Sequence, residues 1–206
     1  MTILKEAKDL ISKTLDKKSL VLVAIDGCSG SGKTTLASAL NQDLNHCQVV
    51  HADDFYVPID LDLLAQLNPE DGFYRHYDWQ RIVAELLEPL MAGQKAIYRA
   101  YDWEMNVISA SPKVVEPQGV VIIEGVYSLF DRLRKFYDIS IFVDTSPLVR
   151  RQRCLNRAGD EFAAVRDRAS TLKPPDFWID LWMSAEDWYL KSFGPKLYAD
   201  FIVSGD

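Results

Sequence analysis

An open α/β fold, a five-stranded parallel sheet flanked by helices, follows from three features of the 206-residue sequence. Five short runs are apolar without alternation, the pattern of strands covered on both faces. Segments of helical period separate most of them. A glycine-rich octapeptide joins the first run directly to a helical segment, the strand, loop, helix order of an α/β unit.

Ile3, Leu4, Ala7, Leu10, Ile11 and Leu15 recur at helical spacing, so the N-terminal segment is an amphipathic helix rather than a secretion signal. "LVLVAI" (Leu20 to Ile25) is the first strand, followed by a helix from Thr34 to Leu44 and a second strand from Cys47 to Ala52. "GVVIIE" (Gly119 to Glu124), "DISIFVD" (Asp138 to Asp144) and "ADFIV" (Ala199 to Val203) supply the rest of the sheet. Helices are predicted from Trp79 to Met91, stopping before Gly93, from Leu148 to Ala158, capped by Ser146 with Pro147 at the first turn, and from Phe177 to Phe193. Trp178 and Trp182 share a face of that last helix, where core packing is expected, with Trp188 and Tyr189 nearby. The chain reads as one domain over 1–206. Its region around 54–118 breaks the alternation and contains two short strands, "KAIYRAY" and "PKVVEP"; this insertion is where a substrate lobe is expected.

Apolar residues make up 48% and charged residues 26% of the chain, which suits a globular core. A formal net charge of −7 argues against a broad basic surface for nucleic acid. Cys28, Cys47 and Cys154 are scattered, without metal-ligand spacing or an even count for a disulfide framework. No apolar run reaches a membrane span, so no membrane partner is expected and a cytoplasmic location fits best. Self-association stays open.

"GCSGSGKT", Gly27 to Thr34, satisfies G-x-x-x-x-G-K-[ST] in the context that its mechanism requires. The loop can turn successive backbone N–H groups toward phosphate oxygens, Lys33 can reach the β and γ phosphates, and the Thr34 hydroxyl can ligate Mg²⁺. Gly27, Cys28, Ser29, Gly30, Ser31, Gly32, Lys33, Thr34 and Thr35 are therefore the expected ATP-binding residues. A dinucleotide fold is disfavoured, because Thr35 stands where a third glycine of G-x-G-x-x-G would be needed.

Three further groups narrow the chemistry. "HADDFY" puts Asp53 and Asp54 beyond the second strand, on the same sheet edge as the loop. A carboxylate there can orient an acceptor hydroxyl, take its proton or hold metal-bound water, or it can simply cap a turn. Glu124, ending the third strand, can reach the magnesium shell or be satisfied by nearby N–H groups. Arg150, Arg153 and Arg157 share a helix face that can close over a triphosphate, with Arg166 and Arg168 just beyond; the alternative is a solvated helix paired with Asp160, Glu161 and Asp167.

The same residues carry a family resemblance over nearly the whole length. "GCSGSGKTTLA", "DDFY", "YDW", "VVIIEGVY", "IFVDTSPLVRRQR" and "YADFIV" resemble the uridine kinase, nicotinamide riboside kinase, phosphoribulokinase and pantothenate kinase group of P-loop metabolite kinases, nearest to its nucleoside-kinase branch. The resemblance implies a P-loop NTP hydrolase-like fold with an inserted substrate lobe and an arginine-containing lid. It implies ATP and Mg²⁺, with Thr34, Glu124 and Asp53 serving the metal and Asp53 as general base. Lys33, Arg153 and Arg157 would stabilise the transferring charge, and Arg150 would contact ATP.

For the acceptor, the resemblance implies Asp78 reading vicinal ribose hydroxyls and Tyr101 near a nucleobase. Asp54, Tyr56 and His76 join the expected substrate residues. Asp78 can instead cap the helix at Trp79. After the second YDW segment the group commonly has a histidine and an arginine; this chain has Asn106 and Ile108, which makes uridine itself doubtful. The expected activity is ATP-dependent phosphorylation of a hydroxyl on a small metabolite, most often a nucleoside or other riboside. The alternatives are a kinase for pantothenate, a sugar phosphate or another metabolite, and a nucleotide-dependent switch.

Overall fold

Five runs that are apolar on both faces can be covered only by helices on both sides, and a parallel sheet with crossover helices provides that cover. A computed structural model describes residues 2–165 and 173–206. In chain order the strands are β1 (Leu20–Asp26), β2 (Cys47–His51), β3 (Ala96–Asp102), β4 (Val107–Val115), β5 (Gly119–Glu124), β6 (Ile139–Asp144) and β7 (Phe201–Ser204). The helices are α1 (Thr2–Leu15), α2 (Lys33–Asp43), α3 (Leu61–Leu64), α4 (Pro69–His76), α5 (Trp79–Arg81), α6 (Glu88–Met91), α7 (Asp131–Arg134), α8 (Pro147–Val165) and α9 (Pro175–Phe193).

The main sheet has the order β2-β5-β1-β6-β7, with every pair parallel. β5 is the pivot of this order. Glu124 at its end pairs in register with Ile25 of β1 on one side and with His51 of β2 on the other. The carboxyl ends of three strands distant in sequence thus meet at one edge, where α/β sheets of this kind carry their ligands. One face of the sheet is aliphatic: Ala7 and Ile11 of α1 and Ala37 and Leu40 of α2 close on Val21, Val23, Val120 and Ile122.

The other face is built largely from aromatics. Phe73 of α4 is fully buried, with ring centroids 4.8 Å from Tyr127, 5.0 Å from Phe130 and 5.5 Å from Tyr189 of α9. Truncating such a residue to alanine costs about 3–5 kcal/mol. Trp178 is buried against Leu64 and Leu67, as the helical spacing predicts, and Trp182 is only partly buried there.

The inserted region is an antiparallel β3–β4 hairpin and a series of short helices. The helix predicted over 79–91 forms, but Ile82–Leu87 winds as a π-helix between α5 and α6. Pro89 lacks an N–H and its ring would crowd the carbonyl four residues back, and the wider turn lies just upstream of it. α3 and α4 are additions to the predicted elements. Asp60 and Asn68 cap their N-termini through side-chain oxygens, and Pro69 occupies the first turn of α4.

Candidate active site

The phosphate loop is shaped by contacts from behind. Gly30 has φ +74°, and a Cβ there would lie 2.6 Å from the Arg150 carbonyl oxygen of α8, so the loop backs directly onto that helix. Thr145 Oγ1 donates to the Ser31 carbonyl at 3.0 Å. Glu186 of α9 accepts from the Ser29 N–H at 2.9 Å while Arg150 donates to its other oxygen at 2.9 Å. Asp26, at the loop entry, accepts from the N–H groups of Gly27, Tyr127 and Leu129 and from the Tyr189 hydroxyl. Burial raises the Asp26 carboxyl despite these donors, with the Tyr189 bond opposing it most.

Lys33 is almost fully buried, and its Nζ donates to the Cys28 carbonyl at 3.0 Å. Among the described residues it makes no ion pair. A buried ammonium with one neutral acceptor suits an anion such as phosphate, and the donor set of the loop therefore fits a nucleotide. The Cys28 thiol beneath it is pushed up by burial and then by Glu186, so this cysteine is inert.

Beyond the loop, Thr34 Oγ1 donates to Glu124 Oε1 at 3.2 Å. His51 Nδ1 lies 2.5 Å from the same oxygen. The Glu124 contact holds the imidazole above its ordinary range, against desolvation. A hydroxyl and a carboxylate side by side are oxygen donors of the kind that Mg²⁺ prefers. Gly125 permits the close turn behind Glu124: a Cβ there would lie 2.5 Å from the Ala52 Cβ.

Asp53 follows in the 3₁₀ turn Ala52–Phe55. Its surface is open to solvent, yet the protein packed around the cleft desolvates its carboxyl and pushes it up. Lys33 and a hydrogen bond from the Tyr77 hydroxyl, 2.9 Å from Asp53 Oδ1, act in the opposite direction. The hydroxyls of Tyr77 and Tyr56 lie 2.6 Å apart.

Several residues predicted for the site are placed differently. Asp54 is buried and accepts from the Tyr98 hydroxyl at 2.7 Å and from Lys113 Nζ at 2.8 Å and 2.9 Å. It ties the Asp53 turn to the hairpin through both its oxygens. Arg150 is likewise held within the protein. The residue is 3% exposed and its guanidinium is paired with Glu186, so it braces the loop from behind. Arg153 donates to the carbonyls of Gly30 at 3.2 Å and Gly205 at 2.8 Å, again from beneath the loop. Arg157 is exposed and meets only Cys154 Sγ, at 3.6 Å, among the described residues. Arg166 and Arg168 lie outside the described residues.

In the acceptor lobe, Asp78 Oδ1 accepts from the Arg81 N–H at 3.1 Å and so caps α5. Its second oxygen makes no hydrogen bond among the described residues. His76 is buried with its ring 4.1 Å from that of Tyr56, and burial lowers its pKa to about 4, leaving it neutral. Tyr56 is in turn 4.7 Å from Trp103 and 5.9 Å from Tyr101. Asn106, at φ +51° in the hairpin turn, accepts from the Tyr101 hydroxyl at 2.8 Å and donates to the Ile59 carbonyl at 3.0 Å. The two YDW segments therefore meet around Tyr56, whose ring lies 4.2 Å from Tyr77 and 4.7 Å from Trp103. A separate cavity of about 500 Å³, between Arg81, Tyr98, Arg99 and Pro112, has no loop residue in its lining.

The model of the "Phosphoribulokinase / Uridine kinase family" matches residues 22–177. The chain belongs to this family. It is a P-loop kinase, an ATP-dependent phosphotransferase. A uridine kinase of Halalkalibacterium halodurans is 31% identical over 203 residues, which cover 90% of this chain and 86% of that protein. A uridine kinase of Ligilactobacillus salivarius is 33% identical over 196 residues, covering 89% of this chain and 84% of the relative. Among solved structures, one described as a possible uridine kinase from Bacillus stearothermophilus superposes with a TM-score of 0.65 at 24% identity, over 97% of this chain and 98% of its own. One provisionally described as a fructose transport system kinase, from Silicibacter sp. TM1040, gives 0.63 at 26% identity, over 88% of this chain and 94% of its own. No helix among the described residues is long and apolar enough to cross a membrane.

His51, Lys113 and Glu186 stand at the site without a role assigned from sequence, whereas Tyr77 belongs to the first YDW segment. His51 begins the "HADDFY" motif and could have been found there. Lys113 and Glu186 act across 59 and 157 residues and leave no local signal.

Proposed function

We propose that this kinase transfers the γ-phosphoryl group of ATP to a primary hydroxyl of a nucleoside or similar riboside. The observation that carries this reading is the position of Asp53: a solvent-facing carboxylate within the field of Lys33 and Glu124, at the edge of an aromatic lobe. The uridine kinase relatives support the substrate class. Asp78, with one oxygen free beside Tyr77, supports recognition of adjacent hydroxyls.

In this mechanism the loop N–H groups and Lys33 would hold the triphosphate. Thr34 and Glu124 would hold Mg²⁺, which when bound would supply neutralisation of phosphate charge. Asp53 orients the acceptor hydroxyl and accepts its proton as the bond to phosphorus forms. Arg157, exposed on α8, would be the lid arginine that approaches transferring charge. Exclusion of water by the lobe favours the acceptor over hydrolysis.

A second reading rests on Asn106. Its carboxamide is engaged at both ends, and it also takes up the Tyr101 hydroxyl. The second YDW segment then offers ring faces more than hydrogen-bonding edges, which suits an acceptor recognised by stacking, including a sugar without a pyrimidine. A screen of ribonucleosides, their 2′-deoxy counterparts, nicotinamide riboside, pantothenate and free sugars with Mg²⁺-ATP, read by product mass, tests both readings. Phosphorylated ribosides are expected, with deoxy compounds poorer. Product from an acceptor without a ribose diol at equal efficiency would replace the first reading with the second.

A further inference from the structure

We infer that Tyr77, oriented by Tyr56, is a positioning residue that fixes the carboxylate of Asp53 for proton transfer; the inference rests on the proposed role of Asp53 as general base.

The geometry of this chain of hydroxyls is over-determined. Tyr77 is 2% exposed, its ring stacked on Trp79 at 5.1 Å and tilted against Tyr56 at 4.2 Å. Its main chain is bonded to the turn that carries Asp53. Tyr56 and Tyr77 form an antiparallel bridge, flanked by hydrogen bonds from the Val57 N–H to the His76 carbonyl and from the Asp78 N–H to the Phe55 carbonyl, both 2.9 Å. The phenol and the carboxylate are thus carried on one braced unit.

The direction of the bonds follows from proton counting. A tyrosine has one hydroxyl proton, and an ionised carboxylate can only accept. Tyr77 therefore gives its proton to Asp53 Oδ1, and the 2.6 Å contact with Tyr56 is a bond that Tyr56 donates. Both phenols stay protonated, held well above their usual range by burial and then by the Asp53 charge. Among the described residues the Asp53 carboxylate has no other hydrogen-bond donor. With Oδ1 held, Oδ2 alone remains to receive the acceptor proton. Without the Tyr77 bond the carboxylate is free to rotate, and Lys33, which attracts it but is not ion-paired with it, offers a competing and unproductive position. Misorientation of a catalytic group by a fraction of an ångström lowers the rate steeply while leaving nucleotide binding intact.

The test measures phosphoryl-transfer rates for Tyr77→Phe and Tyr56→Phe in the wild-type and Asp53→Asn backgrounds, with ATP affinity and melting temperature for each protein. Tyr77→Phe keeps the ring and removes only the hydroxyl. It is expected to lower kcat about 10- to 100-fold with KM for ATP within about twofold. Tyr56→Phe, which leaves the bond to Asp53 in place, should produce a smaller loss in the same direction that is not additive with the first. In the Asp53→Asn background neither change should matter further. Full activity in Tyr77→Phe, or an undiminished fractional loss when Asp53 is already replaced, would overturn the inference. Asp53→Asn turning over like the wild type would remove the general base itself and the inference with it, and that result is separately visible.

Discussion

His51 Nδ1 and Glu124 Oε1 are 2.5 Å apart, across neighbouring strand ends that pair in register. The imidazole fixes the rotamer of the carboxylate that also receives the Thr34 hydroxyl. Partners that orient a metal ligand in this way typically change metal affinity about 10- to 100-fold when removed. His51→Ala should therefore raise the Mg²⁺ concentration needed for half-maximal activity about tenfold. Calorimetric titration of Mg²⁺ into the nucleotide complex checks the same effect without turnover, and metal-free ATP binding should be unchanged.

Glu186 joins α9 to the phosphate loop through Ser29 and is paired with Arg150, both side chains being almost fully buried. Removing one partner leaves a buried charge uncompensated. Glu186→Ala is expected to cost about 3–5 kcal/mol in denaturant unfolding. Glu186→Gln retains an acceptor for Ser29 and should cost less, while both variants weaken ATP binding. A Glu186→Ala protein as stable as the wild type would contradict the bracing role.

His76 gives stability a defined acid limb. Burial lowers its pKa from the ordinary 6.5 to about 4, so between those values the unfolded chain binds a proton that the folded chain refuses. The resulting stability is complete above about pH 6.5 and is lost as pH falls toward 4, by an amount on the order of 3 kcal/mol. Melting temperatures of wild type and His76→Gln between pH 7 and pH 4.5 should converge toward the acid end.

Asp78 performs one visible task, capping α5, and one proposed task, reading vicinal hydroxyls. Asparagine caps as well as aspartate but presents one acceptor oxygen. Asp78→Asn should keep the melting temperature and lose discrimination between ribo- and 2′-deoxyribosides. Asp78→Ala should lose discrimination and about 1 kcal/mol of stability. Unchanged discrimination in both variants would confine Asp78 to its capping role.

The sheet was legible because each strand is buried on both faces, and the phosphate loop because its spacing is a local requirement. The β3–β4 hairpin was legible only in part. Its second strand starts at Val107, well before the predicted "PKVVEP", because Ser109, Ala110 and Ser111 lie on an exposed edge and show no apolar alternation. Asn68 followed by Pro69 is a start signal for α4 that could have been read. What no local pattern contains is the strand order. Only with β5 between β1 and β2 does Glu124 stand next to His51, and only with α9 folded back does Glu186 reach Ser29. The same nonlocal packing pairs Arg150 with Glu186 and Asp54 with Tyr98 and Lys113.

The central claim, that Asp53 is the base for transfer to an acceptor hydroxyl, is tested most directly by single-turnover phosphorylation of the best riboside from the acceptor screen. Wild type and Asp53→Asn are compared at saturating Mg²⁺-ATP. Asp53→Asn is expected to lose about 10²- to 10⁴-fold in the transfer step, with ATP affinity preserved. An Asp53→Asn enzyme that forms the phosphorylated riboside at the wild-type rate would contradict it.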